Sequence, residues 1–135
     1  FNPSISGEGT HTITYTYTDA YGTPHAATRD IVVNGLPAPS ITGPAETCES
    51  YSEVFSTPLN ANHTYSWSVT GGTIVAGDGT HEITVEFTAS GNPEIQVTET
   101  NDITGCSDIS AIHSVTVHPT QLIDEIDSNS KLNGR

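Results

Sequence analysis

The chain has 135 residues, 33% of them apolar, with 16 acidic residues against 3 basic and a net charge of −13. That length suits one domain, or one domain and a piece of another. A surface so poor in cations repels phosphate backbones and anionic lipid, so neither nucleic-acid binding nor direct membrane insertion is expected.

The first elements read as a β-hairpin between Gly9 and Asn34. Thr10, Thr12, Thr14, Thr16 and Thr18 fall on one strand face, and His11, Ile13, Tyr15 and Tyr17 on the other, which is read as looking inward. Asp19, Gly22 and Pro24 punctuate the turn. The return strand runs over about 26–33, with Ile31 and Val33 inward. Two strands cannot bury a core alone. They either complete the sandwich that follows or close a preceding, truncated domain. Gly35-Leu36-Pro37-Ala38-Pro39 is a stiff linker, and a boundary there is the preferred reading: 1–35 for the truncated piece, 36–119 for the main domain and 120–135 for an acidic tail or linker.

Seven short strands are expected in the main domain, over about 40–42, 51–56, 63–70, 73–76, 81–88, 93–99 and 109–117. Turn signals separate them, among them Gly71-Gly72, Gly77-Asp78-Gly79 and Asn101-Asp102. The alternation puts Tyr65, Trp67 and Val69 on one face against Ser66, Ser68 and Thr70. Ile83, Val85 and Phe87 line up in the same way, as do Ile95 with Val97 and Val115 with Val117. These ten residues are the predicted core, with Trp67, the single tryptophan, at its centre. Regular short strands with one wet face each predict an all-β fold, an antiparallel β-sandwich. Helical periodicity is confined to residues 121–127, too few for a stable isolated helix.

Cys48 and Cys106 stand far apart with no CxxC and no Cys/His cluster, which argues against zinc. An even count in a Thr/Ser/Gly-rich β chain suggests one disulfide and an oxidising compartment; two free thiols are the alternative. Methionine is absent and Phe1 reads as the middle of a polypeptide, so a segment of a larger secreted protein is expected.

Cys48, the run from Tyr65 to Ile74, Gly77-Asp78-Gly79-Thr80, the run from Ile83 to Phe87, and Gly105-Cys106 together resemble the PKD-like, immunoglobulin-like repeat of very large Bacteroidota surface proteins. Phe1-Asn2-Pro3, Gly7, the stretch from Gly9 to Tyr15 and Thr18-Asp19-Ala20-Tyr21-Gly22 are similar to the end of another immunoglobulin-like repeat in such proteins. The resemblance implies secreted, repeat-built adhesins and stalks, including gliding-motility adhesins exported by type IX secretion, with neighbouring repeats of the same chain, surface glycans and other cell-surface proteins as partners. Related repeats also serve as spacers in hydrolases. Two departures stand out. The better-known PKD form has an acidic, glycine-rich turn directly after its strand tryptophan, where this chain runs on into Val69-Thr70-Gly71-Gly72. The first repeat usually has a cysteine after its turn glycine, where this chain has Thr23.

No catalytic constellation stands out. His11, His25, His63, His81, His113 and His118 form no HxH or HExxH array, and no GxSxG elbow occurs. No cofactor is expected beyond a candidate calcium at Asp78, Asp102 and Asp108, in carboxylate loops that lack EF-hand spacing. Tyr21 and Tyr51 are the aromatics expected to be exposed and are the candidate ligand contacts. Asn62-His63-Thr64 is a formal glycosylation sequon. The leading expectation is a non-catalytic structural module, with a carbohydrate-binding accessory module of a secreted hydrolase as the alternative.

Overall fold

The computed structural model describes residues 1–121. The short helical pattern at 121–127 and the acidic tail fall almost wholly outside the described residues.

The chain starts with a single helical turn, α1 (Pro3–Ser6), which the strand-centred reading did not anticipate. Asn2 caps it by accepting from the Ser4 amide. Strands β1 (Gly9–Thr18) and β2 (Pro24–Val33) then form a ten-residue antiparallel hairpin, with Gly9 opposite Val33 and Thr18 opposite Pro24. Asp19 builds the turn: its carboxylate accepts from the Tyr21 and Thr23 amides and from His25. Cross-strand register puts His11, Ile13, Tyr15 and Tyr17 on one face with Ile31, Arg29, Ala27 and His25. Tyr15 and Tyr17 are 65% and 49% exposed, which corrects the reading that packs them inward. Their alternation is real, but among the described residues no second layer covers that face of the two-stranded sheet.

The main domain is a two-sheet sandwich. The first sheet takes β4 (Tyr51–Ser56), β7 (Glu82–Phe87) and β6 (Thr73–Ala76), in that order. The second pairs β5 (His63–Thr70) with β8 (Glu94–Asn101), whose other edge carries β9 (Ser107–Ile109) and then β10 (His113–Ser114). Finally, β3 (Glu46–Cys48) pairs in parallel with β11 (Thr116–His118). Two expected strands differ. Residues 40–42 contribute only a bridge from Thr42 to Ser56, while the pairing falls to β3, too short to show a pattern. The expected strand at 109–117 is broken at Ser110, whose hydroxyl accepts from the Val97 amide and takes a place a backbone carbonyl would hold.

The core lies between the sheets. Phe55, Ile83, Val85 and Phe87 come from the first sheet, Tyr65, Trp67, Ile95 and Val97 from the second, and Val115 and Val117 from the last segment. Val69 packs only at its margin. Trp67 buries its indole and donates Nε1–H to the Thr80 carbonyl at 2.7 Å, so its polar atom is satisfied. Phe55 meets Phe87 edge to face at 6.2 Å. The Gly71-Gly72 turn fits because a Cβ on Gly72 would meet Val85 at 2.8 Å, and Gly71 has φ +71. No residue of the hairpin belongs to this core.

Strand direction defines two poles. The chain arrives where Thr42 bridges Ser56, the proximal pole, which also holds the β4–β5 loop and the β8–β9 turn. It leaves after His118, beside Cys48 and the β7–β8 loop, at the distal pole.

Candidate functional site

The residues that the sequence singles out do not converge on one centre. Cys48 sits at the distal pole, opposite His118. Cys106 sits at the proximal pole, its carbonyl accepting from the Asn101 amide. Both are free thiols, which corrects the expected disulfide. Strand β8 alone, eight residues long, runs from one pole to the other, a span of roughly 25 Å. A disulfide needs Cα atoms within about 7 Å.

The candidate calcium ligands are likewise dispersed. Asp78 lies in the β6–β7 loop. Asp102, in the β8–β9 turn, accepts from the Thr64 hydroxyl at 3.0 Å. Asp108, in β9, accepts from the next amide, that of Ile109. No group of three His, Cys, Asp or Glu side chains suited to a metal occurs among the described residues. Tyr21 and Tyr51 are both exposed, but one caps the hairpin turn and the other starts β4. The exposed aromatics that do come together are Tyr15, Tyr17 and His25, with near-parallel rings at centroid distances of 6.0 and 4.9 Å.

Most histidines have structural partners. His11 bonds the Gly7 carbonyl and His113 the Pro44 carbonyl, and the His113 ring stands edge-on to Phe55. His118 reaches Glu46 across the β3–β11 pair. His63 bonds Glu99, a carboxylate only 1% exposed, which also accepts from the Asn60 side chain at 2.6 Å. Beside them the Tyr65 hydroxyl donates to the Pro58 carbonyl and accepts from the Asn60 amide. This polar plug closes the proximal end of the core and fastens the β4–β5 loop to both strands. Sequence reasoning missed Glu99, although it shares parity with Ile95 and Val97 and so had to point inward.

Two carboxyls are held below their ordinary range. Asp19 is lowered chiefly by its bond from His25, then by the Thr23 and Tyr21 amides. Glu49 is lowered chiefly by the Ser90 amide at 2.6 Å, then by that of Thr120. Each pins a turn, one in the hairpin and one at the distal pole.

The feature that organises these residues is the axis between the poles. The chain arrives at one end and leaves at the other, and its first and last sandwich strands, β3 and β11, lie side by side along the way. Backbone bonds cross between them, from Thr116 N–H to Ala45 O and from Glu49 N–H to His118 O. Two packed, mostly antiparallel sheets of this kind make an all-β, immunoglobulin-like sandwich. The model of the PKD-like domain matches residues 35–117, and the chain belongs to that family. No curated protein matches the chain. PKD-like domains are generally non-catalytic and typically extracellular. No helix among the described residues is long and apolar enough to cross a membrane.

Proposed function

We propose that this chain is a spacer in a large secreted cell-surface adhesin or filament, of the kind used in Bacteroidota gliding motility and exported by type IX secretion. The observation that carries the reading is the parallel β3–β11 pair. Tension between residues 35–41 and 118 pulls β3 toward the proximal pole and β11 toward the distal one. Their hydrogen bonds lie across the direction of pull, so they share the load and yield together rather than unzipping singly. The proline linker restricts bending toward the hairpin, which is read as the end of a neighbouring immunoglobulin-like repeat. Neighbouring repeats are then the principal partners, with surface glycans or other surface proteins bound elsewhere in the assembly.

Single-molecule extension of a tandem array of residues 35–121 tests this. Discrete, equal unfolding events are expected, each releasing roughly 25 nm of chain. Smooth extension without events contradicts the spacer role.

The exposed Tyr15–Tyr17–His25 stack favours the second reading, a carbohydrate-binding accessory module of a secreted hydrolase, since sugars pack on aromatic faces. Glycan-array binding that is lost in Tyr17→Ala or Tyr21→Ala would support it over the first.

A further inference from the structure

Residues 35–121 contain no lysine and no arginine. Positive charge within the sandwich therefore comes only from histidine. Of His63, His81, His113 and His118, only His63 bonds a buried carboxylate, that of Glu99. Glu99 is 1% exposed and the His63 side chain 14%. Glu99 Oε1 meets His63 Nδ1 and accepts from the Asn60 side-chain N–H at 2.6 Å. These contacts tie β8 to the start of β5 and to the β4–β5 loop, residues 57–62. The Tyr65 hydroxyl holds the same loop, accepting from the Asn60 amide at 2.8 Å and donating to the Pro58 carbonyl at 3.0 Å.

One proton decides whether this site is neutral. With it, the pair is imidazolium and carboxylate, or imidazole and carboxylic acid, and either form has no net charge. Without it, a carboxylate stands at the end of the core with neutral donors only. An uncompensated buried charge is costly. In the unfolded chain water solvates that charge, and an imidazole gives up its proton near its ordinary value of about 6.5. The ionisable groups on the neighbouring elements do not bond Glu99. Tyr65 on β5 and Asp108 on β9 stand opposite it in register. Asp102, in the β8–β9 turn, accepts from the Thr64 hydroxyl, and Cys106 closes that turn through its carbonyl. His81 meets the base of the loop through its carbonyl, which accepts from the Thr57 amide. The two aspartates add negative charge near the pair, which strengthens the demand for a proton on it.

We propose that the His63–Glu99 pair is a proton-operated latch on the β4–β5 loop. Below neutral pH the shared proton keeps the site uncharged and the loop fastened. As pH rises through neutrality the proton leaves, and residues 57–62 open so that water reaches the carboxylate. The two groups act as one titrating unit. The closed latch holds a proton that the open one releases, so its contribution is present at low pH and is lost as pH rises. This sense is opposite to that of Asp19 and Glu49, whose lowered carboxyls lose their contribution in acid. The latch depends on the fold alone, whichever role the module plays.

Hydrogen exchange of the full-length chain, followed by NMR at about pH 5.5 and about pH 8 and corrected for intrinsic rates, tests the latch across the ordinary imidazole range. The Asn60 amide reports the loop. The Gly91 amide, which donates to the Val117 carbonyl at the other pole, is the internal reference. Protection at Asn60 should fall about tenfold relative to Gly91 between the two conditions, the factor carried by one unit of proton affinity. Glu99→Gln keeps an acceptor without the charge and should abolish the fall. His63→Asn keeps a donor that does not titrate and should hold protection low at both pH values. If Glu99→Gln does not fold, the unsubstituted chain and His63→Asn still decide. Equal protection of Asn60 at both pH values in the unsubstituted chain, a matching fall at Gly91, or a fall that persists in either variant would overturn the proposal.

Discussion

The hairpin and the sandwich are written in the same code and reach different ends. Both consist of strands with apolar residues at every second position. In β5, β7 and β8 that stripe lies under a second sheet, and Trp67, Val85 and Val97 are buried. In β1 the stripe of Ile13, Tyr15 and Tyr17 is covered by nothing comparable among the described residues, and the tyrosines stack on one another and on His25. Alternation therefore tells which face a side chain takes, and a second layer decides whether that face becomes a core. The hairpin is held by its ladder, its Asp19 turn and its aromatic stack, whereas the sandwich adds the hydrophobic term that dominates folding.

Substitutions should separate the two regions. The largest effect is expected in the sandwich, where Trp67→Ala and Phe55→Ala should each cost about 3–5 kcal/mol in urea unfolding. Trp67→Ala also strands the Thr80 carbonyl. Tyr17→Ala in the hairpin should move the same transition by less than about 0.5 kcal/mol, as substitutions outside a core usually do. A comparable loss from Tyr17→Ala would mean that the two regions share a core.

A smaller effect is expected in acid. Glu49 and Asp19 both have folded pKa values below the ordinary ones of 4.5 and 3.8. Each therefore adds stability above its ordinary value, and that stability is lost as pH falls through the folded one. Thermal melts between pH 5 and pH 2 should show a shallower acid decline for Glu49→Gln, because Glu49 ties the distal loops of the sandwich. Asp19→Asn should leave the sandwich transition alone, because Asp19 ties only the hairpin turn. An unchanged acid profile in Glu49→Gln would contradict the role of its bonds to Ser90 and Thr120.

Architecture was the legible part of the sequence. Periodicity and turn residues located the long strands, because a half-buried strand must alternate. What was not legible depended on partners distant in sequence. Val54 and Phe55 are adjacent apolar residues on opposite faces, and only the pairing of Phe55 with Ile83 shows which one enters the core. The three residues of β3 carry no period, and their place comes from β11. The cysteines looked like a pair because they are two, whereas strand direction sends them to opposite poles. Glu99 was legible by parity but stood past the last apolar residue of its strand. The candidate site was the least legible, since a pole is assembled from turns that share no local pattern.

Residues 35–121 are expected to be a complete folding unit to which the hairpin adds no core. Calorimetry of residues 35–121 beside the full chain tests that claim directly. One cooperative transition is expected in the shorter chain, with its midpoint within about 2 °C of the sandwich transition in the longer one. A midpoint lower by more than about 5 °C, or loss of cooperativity, would contradict it.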